Sequence, residues 1–393
     1  MGDKRMLYIQ NGRIMTMSGP VLEHGNVLIR NGKIEAVGEE NLLPSDFQGN
    51  IIDASDCLVL PGLIEAHCHV GITEEKKGKE GDDCNEMVEP ITPYLRAIDA
   101  VNPMDAAFHE AVRAGITSVM VGPGSSNVVG GQFAFIKTFG RRIDDLIVKA
   151  PAAMKVALGE NPKVNYGGQN RMPSTRMAIA SMLREELFLA RQYLERKEKV
   201  NSDFEPDFAM ECYVPVLKGQ IPLKVHAHRV DDIFSAIRIA NEFGIRITLD
   251  HCTEGHLIAK EIAQSGFPAI VGPHLASRSK IEIQYASFKT AGILHDAGVE
   301  IAITTDHPVS LIQSLPLCAG LAVKAGLPLE EGYRAITINA ARICEVADRV
   351  GSIRVGNDAD IAVFTGNPME TFTETLYTII DGEVVYQRND GIN

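Results

Sequence analysis

Apolar positions in the first sixty residues come in short alternating runs. Met6–Gln10, Asn26–Arg30 and Lys33–Val37 are separated by the turn pairs Asn11-Gly12 and Asn31-Gly32. Asn-Gly between such runs marks a β-hairpin, because both residues tolerate the positive φ of a tight turn. The same texture returns at the far end in Asp360–Phe364, Leu376–Ile380, an Asp381-Gly382 turn and Glu383–Tyr386. Residues 1–61 and 346–393 are therefore expected to build one small β domain from both chain ends. The span 62–345 instead alternates strand-like apolar runs with helical stretches. Its strands are expected at Leu63–His69, Thr117–Val121, Ala153–Leu158, Leu223–His228, Arg246–His251, Ala269–Gly272 and Glu300–Thr304. Helical spacing is clearest in Thr175–Lys199. Strands alternating with helices imply an α/β domain, a parallel sheet with covered faces. Seven strands are evident, and the stretch from Gln132 to Ala150 is expected to hide an eighth.

Composition narrows the class. At 393 residues, 45% hydrophobic and 23% charged, the chain has the make-up of a globular protein with a large core. Its net charge of -13 argues against nucleic-acid or anionic-membrane partners, which require positive patches. Seven scattered cysteines without a CxxC pair suit a reducing compartment. Residues 1–20 lack the apolar core of a signal peptide, and no run of about eighteen apolar residues occurs. A cytoplasmic protein is expected.

The chemistry begins at His67-Cys68-His69, where the first strand of the central span ends. Residues i and i+2 of a strand point the same way, so both imidazoles project together, and such a pair suits a divalent metal. Histidine recurs at other strand ends, as His226 and His251, and Asp306 follows the apolar run Ile301–Thr305. Parallel barrels carry their chemistry at the C-terminal ends of their strands, so these residues are expected at one mouth.

As a set these segments resemble the amidohydrolase superfamily, and within it the imidazolonepropionase-related amidohydrolases. Pro61-Gly62-Leu63-Ile64-Glu65-Ala66-His67-Cys68-His69 looks like the opening motif. Lys224-Val225-His226-Ala227-His228, Leu249-Asp250-His251 and Thr304-Thr305-Asp306 resemble the later metal-bearing strands. Gly351-Ser352-Ile353 and Gly356-Asn357-Asp358-Ala359-Asp360-Ile361 resemble the return to the β domain. The resemblance covers nearly the whole chain. It implies a (β/α)8 TIM-like barrel with a small β-sandwich, and one or two divalent metal ions, zinc first among them. The ligands would be His67, His69, His226, His251 and Asp306. Binuclear members often bridge two metals with a carboxylated lysine. The matching strand here offers Lys155 early and Glu160 at its end, with opposite parity. Glu160 is taken as the bridging ligand and Lys155 as the alternative.

His228 shares a face with His226, but the family pattern gives the metal to the first histidine. His228 is therefore expected beside the site, orienting ligands or substrate. His274 ends another strand and is counted with the substrate contacts. So are Gln132, in the glycine-rich stretch from Gly122, and Arg278 and Lys280, a cation pair suited to a substrate carboxylate. His256, His24, His109, His295, Cys68 and Cys252 carry no expected role. The resemblance implies a hydrolase acting on a carbon–nitrogen bond of a small polar molecule, such as a cyclic amide, with Asp306 as general acid and base. A dipeptidase or N-acyl amino acid deacylase is the next reading, then a heterocycle deaminase. A non-catalytic barrel scaffold is disfavoured because all five core ligands are present. Homo-oligomerisation is left open.

Overall fold

A computed structural model describes residues 6–75, 78–199 and 204–388. Eight strands form a nearly closed barrel sheet in the order of the sequence: Leu63–Cys68, Ile116–Val121, Val129–Lys137, Ile147–Ala157, Leu223–Ala227, Ile247–His251, Ala269–Val271 and Ile301–Ile303. Hydrogen bonds between its two ends help to close it. The Thr304 hydroxyl donates to His67 O at 2.6 Å, and His69 N donates to His307 O at 2.9 Å. The seven expected strands are all present, with ends shifted by a residue or a few.

The eighth strand corrects an expectation. Val129–Lys137 overlaps the start of the stretch that was expected to hide it, but it runs antiparallel to both neighbours. The barrel is therefore not the all-parallel (β/α)8 form. The glycine-rich stretch from Gly122 runs into this strand. Gly131, at φ 123, sits where the register with Ile147–Ala157 shifts. Such a bulge is where a strand tolerates glycine best.

The terminal strands form one mixed eight-stranded sheet that branches at Met6–Met15. The first half of that strand pairs with Gly49–Asp53, and its second half pairs with Leu58–Val59. All of the terminal strands are thus linked by hydrogen bonds into one separate sheet built from both chain ends, as expected. Asn11-Gly12 is not a hairpin turn: the strand continues through it, with Asn11 at φ 64 and a register shift beside it. Asn31-Gly32 and Asp381-Gly382 do turn hairpins, all four residues having positive φ. Leu7, Ile9, Val27, Ile29, Ile361 and Ile379 supply much of this sheet's own core.

The helix expected at Thr175–Lys199 spans Arg176–Glu198. Thr175 caps it, accepting the Ala178 N–H at 3.1 Å. No helix among the described residues is long and apolar enough to cross a membrane.

A buried ion cluster ties the sheet to the barrel. Lys137 Nζ, on the reversed strand, lies 2.6 Å from Asp360, 3.1 Å from Asp358 and 3.3 Å from Asp381. Removing one member of a buried cluster leaves uncompensated charge, which typically costs about 3–5 kcal/mol. Lys137→Met should lower stability by that order in chemical denaturation, and adding Asp360→Asn should restore part of it. Wild-type stability in the single variant would show that the cluster does not hold the two sheets together.

Candidate metal centre

Strand ends bring the expected histidines together. His67, His69, His226, His228 and His251 are all buried, and Asp306 lies among them. Asp306 Oδ1 stands 3.2 Å from His69 Nε2 and 3.5 Å from His67 Nε2. His251 stacks on His228 with ring centroids 4.8 Å apart, and lies 4.5 Å from His226 and 5.1 Å from His67.

The far side of the rings shows how they are aimed. His69 Nδ1 lies 2.7 Å from Gly122 O, and His251 Nδ1 lies 2.8 Å from Gly272 O. A carbonyl can only accept, so Nδ1 carries a proton in both rings, which leaves Nε2 of each turned toward the site. His67 Nδ1 lies 2.9 Å from Asp250 Oδ2, an ion-pair distance off the line of an ideal hydrogen bond. His228 Nδ1 lies 2.7 Å from Thr253 Oγ1. The carbonyl or carboxylate behind His67, His69 and His251 is how metal-binding imidazoles are oriented, whereas His226 Nδ1 has no hydrogen-bond partner.

Burial supplies the protonation state. It drives His67 and His226 well below the usual histidine range, helped by the positive charge of Lys155, so both rings are neutral donors. At His69 burial also acts downward, but Cys84 and Asp306 beside it carry the ring up to about 10. A cation binding at His69 must displace that proton.

Two groups of donor atoms lie within 4.8 Å of one another among the described residues: His67, His251 and Asp306, and His226, His228 and His251. Asp306 Oδ1 is buried without a hydrogen-bond partner. Neutral imidazoles around an orphaned carboxylate oxygen fit a first-row divalent cation, zinc included.

Of the two residues considered for the bridging role, the structure brings Lys155 and not Glu160 against the histidines. Lys155 is buried, with Nζ 3.3 Å from His67 Nε2. Burial lowers its pKa to about 8 against the opposing pull of Asp250 and Asp306. Glu160 enters the described contacts only through its backbone N–H, which donates to Glu282 at 3.0 Å. The strand stops at Ala157, and Gly159, at φ 89, turns the chain before Glu160 begins a helix. Strand parity therefore does not extend to Glu160.

A cavity of about 610 Å³ opens over the cluster. His69, His226, His228 and Asp306 line it, as do the exposed Arg278 and Lys280. Arg278 donates to Ala286 O at 2.8 Å, and Lys280 donates to Asn161 Oδ1. Gln132 and His274 are not among its lining residues. The Gln132 amide donates to Pro93 O at 3.2 Å. His274 packs against Phe288, and burial lowers its pKa to about 4.

Sequence reasoning missed the groups behind the site. Asp250 is fully buried and is held by Thr248 Oγ1 at 2.8 Å and Lys224 Nζ at 3.3 Å. Glu65 accepts from Thr305 N at 2.8 Å, Thr305 Oγ1 at 2.6 Å and His67 N at 3.1 Å. Charged residues inside otherwise apolar strands were the available signal for Glu65, Lys224 and Asp250. Glu282, buried in the loop after the seventh strand, gave none.

Known proteins agree with this architecture. Residues 58–385 match the Amidohydrolase family model. An amidohydrolase, tasK, from Hapsidospora irregularis is 27% identical over 91% of this chain, which spans only 39% of that relative's length. An imidazolonepropionase from Brucella anthropi is 22% identical, with 96% of each chain covered. The crystal structure of an amidohydrolase from Thermotoga maritima superposes with a TM-score of 0.93 at 38% identity, covering 97% of this chain and all of that one. With the family model matching most of its length, this chain belongs to the amidohydrolase family.

Proposed function

We propose that the protein is a metal-dependent hydrolase that cleaves a carbon–nitrogen amide bond in a small, carboxylate-bearing molecule. The observation that carries this reading is the convergence of His67, His69, His226, His228 and His251 with Asp306 and Lys155 beneath one cavity. The family membership and the relationship to imidazolonepropionases support it.

His67, His69, His226, His251 and Asp306 would hold the metal, and Lys155 rather than Glu160 would join them as a further ligand. Burial keeps part of the Lys155 amine uncharged near neutral pH, as carboxylation of its Nζ by carbon dioxide requires. A bound divalent ion supplies Lewis acidity, which can bring the pKa of its water from about 15.7 to about 7. Asp306 accepts the proton of the attacking water and delivers it to the departing nitrogen. A C–O bond forms as the C–N bond breaks, giving a carboxylic acid and an amine. A cyclic amide gives one product carrying both groups, whereas a dipeptide gives two. Arg278 and Lys280 are the cavity's cations and would hold the substrate carboxylate away from the reacting bond.

The reading is tested by product identification on cyclic amides, dipeptides and N-acyl amino acids, using metal-loaded protein. No hydrolysis of any of them would reject it. Lys155→Met should reduce bound metal by elemental analysis, while Glu160→Gln should not; the reverse would restore Glu160 as the bridge. Asp306→Asn keeps an oxygen donor but cannot take the proton, so turnover should fall about 10²–10⁴-fold. Near-normal turnover in a metal-loaded variant would remove Asp306 from proton transfer. Arg278→Met should raise KM with kcat nearly unchanged, since a contact remote from the reacting bond acts alike in ground and transition states. Equal rates on the acid and its neutral amide would make Arg278 an ordinary loop charge.

A further inference from the structure

The loop that follows Leu63–Cys68 folds back over His69 before it leaves the site. Ile72 N and Thr73 N both donate to His69 O, at 3.1 and 2.9 Å. Thr73 then pairs with Asp82, and Asp83 N donates to Ile72 O at 2.9 Å. This short antiparallel pairing sets the buried Cys84 against His69 and delivers Asn85 to the wall of the cavity. The loop after Ile116–Val121 meets it there. Gly122 O holds His69 Nδ1 at 2.7 Å, and Gly124 N donates to Cys84 O at 2.7 Å.

Asn85 is held in one orientation. Its Oδ1 accepts the Ser126 N–H at 2.9 Å, and a backbone N–H can only donate, so the oxygen and not the nitrogen of the amide faces Ser126. Nδ2 has no hydrogen-bond partner among the described residues. The amide rests against Gly124, where a Cβ would stand 2.5 Å from Oδ1 and 2.7 Å from Nδ2, closer than side chains approach. Both Asn85 and Gly124 line the cavity together with His69 and Asp306. The second amide of that wall is already engaged: Asn161 Nδ2 donates to Ser125 Oγ at 2.7 Å, and Asn161 Oδ1 accepts from Lys280. Asn85 therefore offers the cavity a neutral donor that is fixed in place and unused.

We propose that Asn85 is a further catalytic residue, donating from Nδ2 to the substrate's amide oxygen as that oxygen gains negative charge. The inference rests on the hydrolase reading and adds to it a role that Asp306, Lys155 and the histidines leave open. As the water oxygen adds to the amide carbon, Asp306 takes the water's proton and the C=O electron pair moves onto the amide oxygen. That pair re-forms the C=O bond when the C–N bond breaks and the nitrogen takes the proton from Asp306. A donor already locked by Ser126 and Gly124 needs no rearrangement when the charge appears, so its effect falls on turnover rather than on binding. Arg278 and Lys280, on another loop, remain for the remote carboxylate.

The test uses metal-loaded protein and the amide that wild type hydrolyses fastest among the cyclic amides, dipeptides and N-acyl amino acids. Asn85→Asp keeps an oxygen to accept the Ser126 N–H but has no N–H to give. Asn85→Ala lacks both groups and adds no charge. Each should lose about 10²–10³-fold in kcat and equally in kcat/KM, with bound metal unchanged by elemental analysis. A phosphonate analogue of that amide, with a negative oxygen on a tetrahedral centre, should bind each variant more weakly than wild type. Circular dichroism and thermal melting identify a misfolded variant, and Gly124→Ala, which pushes the amide out of place, then decides by the same readings. Loss in Asn85→Ala alone would show only that the Ser126 contact matters, and loss in Asn85→Asp alone only that its charge does. Either result would overturn the proposal, as would unchanged affinity for the analogue or a fall in kcat of less than about tenfold. Wild type that hydrolyses none of the amides would reject the hydrolase reading and this role with it. Hydrolysis by wild type with both variants near its turnover would reject this role alone.

Discussion

Charge buried inside the barrel has to be matched there, and the aim of the site depends on how that is done. Glu65, Lys155, Lys224 and Asp250 are almost without solvent contact. An isolated ion in such a place costs several kcal/mol, so each lies against a partner. Lys224 reaches Asp250 and the Ala66 carbonyl, and Asp250 faces His67. Phe133 lies beneath both ammonium groups, 5.6 Å from Lys155 and 5.4 Å from Lys224. With Nδ1 of His67 turned to Asp250, Nε2 is left facing Lys155 and Asp306. The direction of a candidate ligand is thus set by a lysine on another strand that does not line the cavity. On the opposite side, Glu65 joins the first strand to the last. Burial pushes its pKa up to about 7 against the hydrogen bonds from Thr305 and the His67 N–H.

Much of this was legible in the sequence, for identifiable reasons. His67 and His69 could be paired because side chains alternate along a strand, and that rule held over the two residues needed. The same rule failed from Lys155 to Glu160, because Gly159 leaves extended geometry and resets the direction of every later side chain. The reversed strand Val129–Lys137 was obscured by its glycines, which read as loop unless the bulge at Gly131 is known. Asn11-Gly12 misled for a related reason. Positive φ is needed at a hairpin turn and equally at a bulge, and composition does not separate the two. Glu282 was beyond reach because the loop that carries it has no periodicity to say which charge turns inward.

The same break in strand geometry also explains how the site is focused. His251, Cys252 and Asp306 have φ of 72, 48 and 53, in the left-handed region that non-glycine residues seldom adopt. Such residues cost about 1–3 kcal/mol each and persist only where surrounding contacts fix them. Here the fixing contacts can be named. Asp306 N donates to Thr304 Oγ1 at 2.9 Å, while the Thr304 hydroxyl donates to His67 O on the first strand. Cys252 N donates to Ala227 O at 3.1 Å, and His251 is held through Gly272 O. Each strained residue is therefore anchored to a neighbouring strand. A strand that stayed extended would carry its next side chains alternately inward and outward. Breaking into the left-handed region at its last residue swings the side chain out of that alternation and over the mouth. At His251 and Asp306 the strain and the placement of the donor then have one cause: each must aim at a point that lies beyond the end of its strand.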